Sequence, residues 1–267
     1  MADVKLLFMD ESLNNETGFP LSSLTGLLVA AEKYSDARAG VYAAIEDVIQ
    51  PKPGQIHTHP PELHFSNFLP DRPDKDKFEV LRKLVDNVNA CKIKLIRVAH
   101  YITPALRELF KPDHNLIGAC WFGMTTVLGP ILRDSLVIPI LDAGFDAGFR
   151  PTVARFSQLV QSTAALKAAG LGEFVSIKGS ENLAEVVYGD SQFSALIQLT
   201  DAVAGLRRIS ETFRETGKPP KSAYKQRLLE ISGGLEQAID YEQAIAIRLN
   251  GEIQGPADAP PPKRPSS

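Results

Sequence analysis

Apolar positions along this chain fall into two rhythms. Val4-Lys5-Leu6-Leu7-Phe8-Met9 and Leu24-Thr25-Gly26-Leu27-Leu28-Val29-Ala30 are short, nearly continuous apolar runs. So are Ile93-Lys94-Leu95-Ile96-Arg97-Val98-Ala99, Val137-Ile138-Pro139-Ile140-Leu141 and residues 174–177. Runs of that length, bounded by turn residues, predict buried strands. Asn14-Asn15-Glu16-Thr17-Gly18 is turn-rich, so the first two strands are expected to form a hairpin. Elsewhere apolar residues recur every three or four positions, as at Val41, Ala44, Ile45 and Val48, and again at Phe78, Leu81, Leu84, Val85 and Val88. This spacing predicts helices over 36–49, 75–90, 116–132, 152–169 and 190–208, with one or two more within 224–249. Prolines at 51, 53, 60 and 61 exclude regular structure between the first two helices.

Strands alternating with helices predict an α/β sheet covered by helices. Residues 1–253 read as one domain with a C-terminal helical extension. Residues 254–267 are rich in proline and polar side chains and are expected to be a disordered tail.

Composition narrows the function. The chain has 267 residues, 44% of them hydrophobic, enough for a sizeable core, and a formal net charge of -3, so it is not a basic nucleic-acid coat. Cys91 and Cys120 form no Cys-x-x-Cys pair, which excludes zinc-ribbon and disulfide frameworks. Met1-Ala2-Asp3-Val4-Lys5 lacks the pattern of a signal peptide, and no apolar run approaches the ~20 residues of a membrane span. A soluble cytoplasmic protein without membrane contact is expected.

Acids stand where a metal site would need them. Asp10 and Asp142 each close an apolar run of strand length, and Asp10 is followed by Glu11 and Ser12. A buried strand delivers such a residue to the open end of a sheet. Asp146 lies four residues after Asp142 and is an alternative. Glu62 opens Glu62-Leu63-His64-Phe65, directly after the proline-rich loop. Asp201 shares a helix face with Ser194, Gln198 and Gly205, away from the stripe of Leu196, Leu199, Val203 and Leu206. Asp190-Ser191 precedes that helix. Each acid alone also fits a solvated charge at a turn or on a helix surface. Carboxylates gathered from distant segments repel one another, and a hard divalent cation, Mg2+ or Mn2+, is the natural counter-charge.

Other chemistries fare worse. His57-Thr58-His59 has the spacing of amidohydrolase-type zinc ligands, but the eight-fold strand-helix repeat of that barrel is absent. His64 stands apart and could touch substrate or a metal's second shell. There is no Gly-x-x-x-x-Gly-Lys-Ser/Thr loop and no Gly-x-Ser-x-Gly elbow. Arg207, Arg208, Arg214, Lys218, Lys221, Lys225 and Arg227 follow Asp201 and suit either a phosphate-facing edge or a solvated helix surface.

Taken together, Asp10-Glu11-Ser12, Glu62-Leu63-His64, Asp142, Asp190-Ser191 and Gln198-Leu199-Thr200-Asp201 with Ala204-Gly205 resemble a bacterial and phage family known as the domain of unknown function numbered 3800. The resemblance spans residues 4 to about 210. Leu13 stands where the family usually has glycine, and Thr200 where it usually has alanine; neither change removes an acid. The resemblance implies a ribonuclease H-like mixed central sheet flanked by helices, with two-metal phosphodiester chemistry. It implies that Asp10 bridges both ions, that Glu62, Asp142 and Asp201 complete the shell, and that Glu11, Ser12, His64, Ser191 and Gln198 line the substrate site. The expected function is a metal-dependent nuclease or phosphodiesterase, with nucleic acid as the possible partner. A non-catalytic nucleic-acid-binding or regulatory protein and a small-molecule phosphohydrolase are the alternatives.

Overall fold

Period-two alternation sets the first strand. In β1 (Asp3–Asn14), Leu6 and Phe8 enter one core and Leu7 and Met9 the other, on opposite faces of the sheet. The computed structural model describes residues 3–14, 20–46, 63–102, 114–142, 150–154, 157, 180–190, 194–245, 247–249 and 252–254. β1 pairs antiparallel with β2 (Leu21–Ala30), as the hairpin pattern predicts, and parallel with β4 (Ser135–Asp142). β3 (Lys94–Tyr101), β5 (Val187–Gly189) and β6 (Ile239–Ile245) complete a mixed six-stranded sheet in the order β5-β4-β1-β2-β3-β6. Only β2 runs against the other five. A small hairpin of β7 (Ile247–Leu249) and β8 (Glu252–Gln254) follows.

Helices cover both faces. α1 (Tyr34–Glu46), α2 (Asp74–Ala90), α4 (Ala195–Thr216) and α5 (Ala223–Gly233) share the core that holds Phe8. α3 (His114–Leu132) covers the other face, where Trp121, Met124 and Leu128 meet Leu7 and Met9. The fold is therefore an α/β sheet flanked by helices, consistent with a ribonuclease H-like domain. Among the described residues no helix is long and apolar enough to cross a membrane.

Several details depart from the sequence pattern. β1 does not stop at Asp10 but continues to Asn14, because Glu11, Ser12, Leu13 and Asn14 keep pairing with β2. The helix predicted from residue 190 begins at Ala195, where the Ser194 hydroxyl caps the Ile197 amide. Asp190 stays outside it, exposed after β5. Of the helices predicted within 224–249 only α5 forms. Residues 239–245 form β6 because the edge of β3 pairs with them, Arg97 with Glu242 and Ala99 with Ala244 among the pairs. A register shift opposite Leu95 and Ile96 lets Ile239 pack into one core and Tyr241 into the other. The strand predicted at 174–177 and most of the helix at 152–169 lie outside the described residues, as does the segment after Gln254.

A cross-strand row organises the α4 face. Asp10 is paired with Thr25, Thr25 with Arg97 and Arg97 with Glu242 across β1, β2, β3 and β6. The Arg97 side chain is 1% exposed. It donates to Thr25 Oγ1 at 2.7 Å and to both carboxylate oxygens of Glu211 in α4, at 3.1 and 3.2 Å. Asn14 donates to Glu211 Oε2 at 2.9 Å. Glu242 in turn accepts from Arg207 at 2.6 and 3.2 Å and from Arg214 at 3.0 Å. Arg207 also reaches Glu236 at 2.8 Å. Arg207 and Arg214 are thus committed to carboxylates of their own chain, and Arg207 is buried. Arg207 is therefore neither a phosphate-facing edge nor a solvated surface, whereas Arg214, with a side chain 35% exposed, stays on the helix surface.

Burial works to raise the Glu242 carboxyl, but Arg207, Arg214 and Arg97 overcome it and hold it at about 2 against an ordinary 4.5. Its stabilisation is complete above pH 4.5 and is lost as the pH falls toward 2. Glu242→Gln, which leaves buried arginines short of a counter-charge, is expected to cost about 3–5 kcal/mol in urea melts near pH 7. The deficit should shrink below pH 3; an equal deficit at both pH values would show that the charge is not what stabilises.

Candidate functional site

Strand alternation and helix spacing bring three of the four acids together. Asp10 follows Leu6 and Phe8 on the α4 face of β1. Asp142 follows Ile140 on the same face of β4, at the strand's last residue. The last pair between the two strands is Met9 with Leu141, after which β1 runs on with β2 while β4 ends. Asp10 and Asp142 therefore flank the point where neighbouring strands part company. α4 crosses this face and presents Asp201. Glu62 and Ser191, and the alternative Asp146, lie outside the described residues, as do His57 and His59.

The acids feel one another. Burial pushes the Asp10 carboxyl well above its ordinary range, and Glu11, Asp201 and Asp142 push it further, against the pull of Arg97. Glu11 rises to about 7, chiefly through burial, which its own backbone hydrogen bond opposes and Asp142 and Asp201 reinforce. Asp201 is raised by burial, against the Phe65 amide, His64 and Arg208. The elevation of Asp10 and Glu11 by burial and by neighbouring acids marks negative charge that the protein leaves uncompensated. Glu11, expected only at the substrate, thus belongs electrostatically with the acid cluster. Its neighbour Ser12 is hydrogen-bonded to Ser23 at 2.9 Å.

The two motifs around Glu62 and Asp201 dock on each other. Gln198, buried in α4, accepts the Leu63 amide at 3.3 Å. Asp201 Oδ2 accepts the Phe65 amide at 3.0 Å and lies 3.4 Å from His64 Nδ1, whose ring is half exposed. Gly205 lies under the Phe65 ring. The small-residue face around Asp201 receives Phe65. Periodicity could not show this partner, because 140 residues separate Phe65 from Gly205. The one sequence signal for Arg97 is a charge inside an apolar strand, which does not show its partner. Cys120 is a buried thiol raised to about 12 by burial, as a structural cysteine would be.

Among the described residues no three histidine, cysteine or acid side chains stand close enough to hold a metal ion by themselves. The donor chemistry nonetheless fits a hard cation: Asp10, Asp142 and Asp201 offer only carboxylate oxygens, and the raised protonation of Asp10 and Asp201 is what a divalent charge would reverse. No protein-family model matches the chain, and no curated protein matches it significantly.

The folded chain holds the Glu11 proton up to about pH 7, while an ordinary glutamate releases it near 4.5. The unfolded state therefore binds fewer protons in that window, and stability without metal falls as the pH rises through it. Glu11→Gln is expected to stabilise the metal-free protein by about 1–2 kcal/mol at pH 8, discounted for partial solvent exposure. At pH 4.5 it should change little. Thermal melts at the two pH values check this; a gain at pH 4.5 as large as that at pH 8 would remove the charge explanation.

Proposed function

We propose that the chain is a divalent-metal-dependent phosphodiester hydrolase of the nuclease type. The observation that carries this reading is the convergence of Asp10, Asp142 and Asp201 from β1, β4 and α4 onto one face, with Asp10 raised by burial and further by Glu11 and the charges of the other two. The order of the acidic motifs along the chain, similar to that of the family numbered 3800, supports it. Asp10, Asp142 and Asp201 would hold Mg2+ or Mn2+, with Glu62 as a further ligand. The bound cation would supply Lewis acidity and a water acidic enough to attack a phosphate ester near neutral pH. The chain's own part is to fix the carboxylates and, through Glu11 and His64, to line the approach to them.

A second reading has an observation of its own. Arg207 and Arg214 are tied to Glu242, which removes two cations from any nucleic-acid surface. A smaller phosphate ester needs no extended basic track, so a small-molecule phosphohydrolase uses the same acids with less demand on the surface.

Purified protein with Mn2+ is expected to hydrolyse a member of a panel of single- and double-stranded DNA, RNA, hybrid duplexes, nucleotides and phosphomonoesters. EDTA should stop it. Asp10→Ala and Asp142→Ala should each abolish turnover, and the double variant should be little worse than either, because the acids act as one unit. Hydrolysis confined to nucleotides or monoesters would select the second reading. Inertness across the panel with nucleic-acid binding retained would identify a non-catalytic binding protein.

A further inference from the structure

Residues 63–65 touch α4 in three chemically different ways. Gln198, Asp201 and Gly205 are spaced three and four apart and so form one stripe on the helix. Gln198 Oε1 accepts the Leu63 amide, and Asp201 Oδ2 accepts the Phe65 amide while lying 3.4 Å from His64 Nδ1. At the third point the contact is steric. A Cβ at position 205 would lie 2.0 Å from Phe65 Cγ, so only glycine lets the ring settle there. Leu63 is 1% exposed within the α4-side core, and buried Phe68 and Leu69 anchor the turn that follows. The segment is thus held from both sides, and its amide reaches the carboxylate as part of a fixed arrangement.

An aspartate on a helix surface samples several rotamers, and ordering it on ligand binding costs affinity. An amide placed on one of its oxygens removes that freedom beforehand. We propose that residues 63–65 are a positioning clamp for the Asp201 carboxylate, with Gln198 and Gly205 as the receiving surface. The inference rests on the metal-site reading above. The polar contacts set the carboxylate's orientation, and the Phe65–Gly205 contact sets the distance of the clamp from the helix. The Gln198-x-x-Asp201-x-x-x-Gly205 spacing is thereby explained as one device: an acceptor, a ligand and a gap.

Mn2+ titrated calorimetrically into the parent, Phe65→Ala, Phe65→Tyr, Gly205→Ala and the Phe65→Ala/Gly205→Ala double variant tests the clamp. Metal-free melting of each is recorded in parallel. Phe65→Ala and Gly205→Ala should weaken Mn2+ binding about 10–100-fold, as loss of an outer-shell partner does. Phe65→Tyr, which keeps the ring, should bind as the parent does. The double variant should be no weaker than the singles, since both remove one contact. Phe65→Ala leaves the helix backbone untouched and decides the matter if Gly205→Ala fails to fold. Parent and folded variants binding Mn2+ equally would overturn the clamp alone. A parent that binds no Mn2+ would overturn the metal-site reading and the clamp with it, and its own trace tells the two failures apart.

Discussion

A guanidinium buried in the middle of a sheet must be paired, and meeting that requirement at Arg97 arranges much of this molecule. An unpaired buried charge costs several kcal/mol. Arg97 is answered by Glu211 from α4, and by Glu242 from the adjacent strand at 3.9 Å. Glu211 is also held by Asn14 near the end of β1. These contacts fix how α4 lies along the sheet. Asp201 is ten residues before Glu211, about 15 Å along a helix at 1.5 Å per residue. Pinning one end of α4 to Arg97 therefore sets where the other end delivers its acid, beside Asp10 and Asp142.

Two regions of the sheet follow opposite electrostatic rules. Around Glu242 three arginines bring the carboxyl down to about 2. Around Glu11 burial and neighbouring acids bring another up to about 7. Both sit on the same sheet. The difference lies in whether the protein supplies the counter-charge itself or leaves it to be supplied from outside. A chain selected for stability alone has no reason to keep the second arrangement.

Much of the architecture was legible in the sequence because it rests on local periodicity. The β1–β2 hairpin, the strands ending near Asp142 and starting near Ile93, and the helices on either side of them follow from apolar spacing. Errors fell where long-range pairing overrides local pattern. β1 runs past Asp10 because β2 is there to pair with it, and β6 is a strand because β3 offers an edge. The basic stretch after Asp201 is largely the solvated surface its composition suggests, with Arg207 the exception, because composition does not show that Glu242 and Glu236 await it. The placement of Asp10, Asp142 and Asp201 on one face followed from strand and helix phase. The involvement of Phe65 and Arg97 did not, since each depends on a partner more than 70 residues away.

The late position of β6 in the chain has a consequence for biosynthesis. Every other strand of the main sheet is complete by Gly189, and α4 by Thr216. A nascent chain that has emerged only that far has Glu211 to offer Arg97 but not Glu242, and nothing for Arg207 from Glu236 or Glu242. The helix that carries Asp201 can lie down early, but Arg207 and Arg214 gain Glu242 only when the last sheet strand leaves the ribosome. The counter-charges of α4 thus come from a strand made after every described residue of the acid cluster.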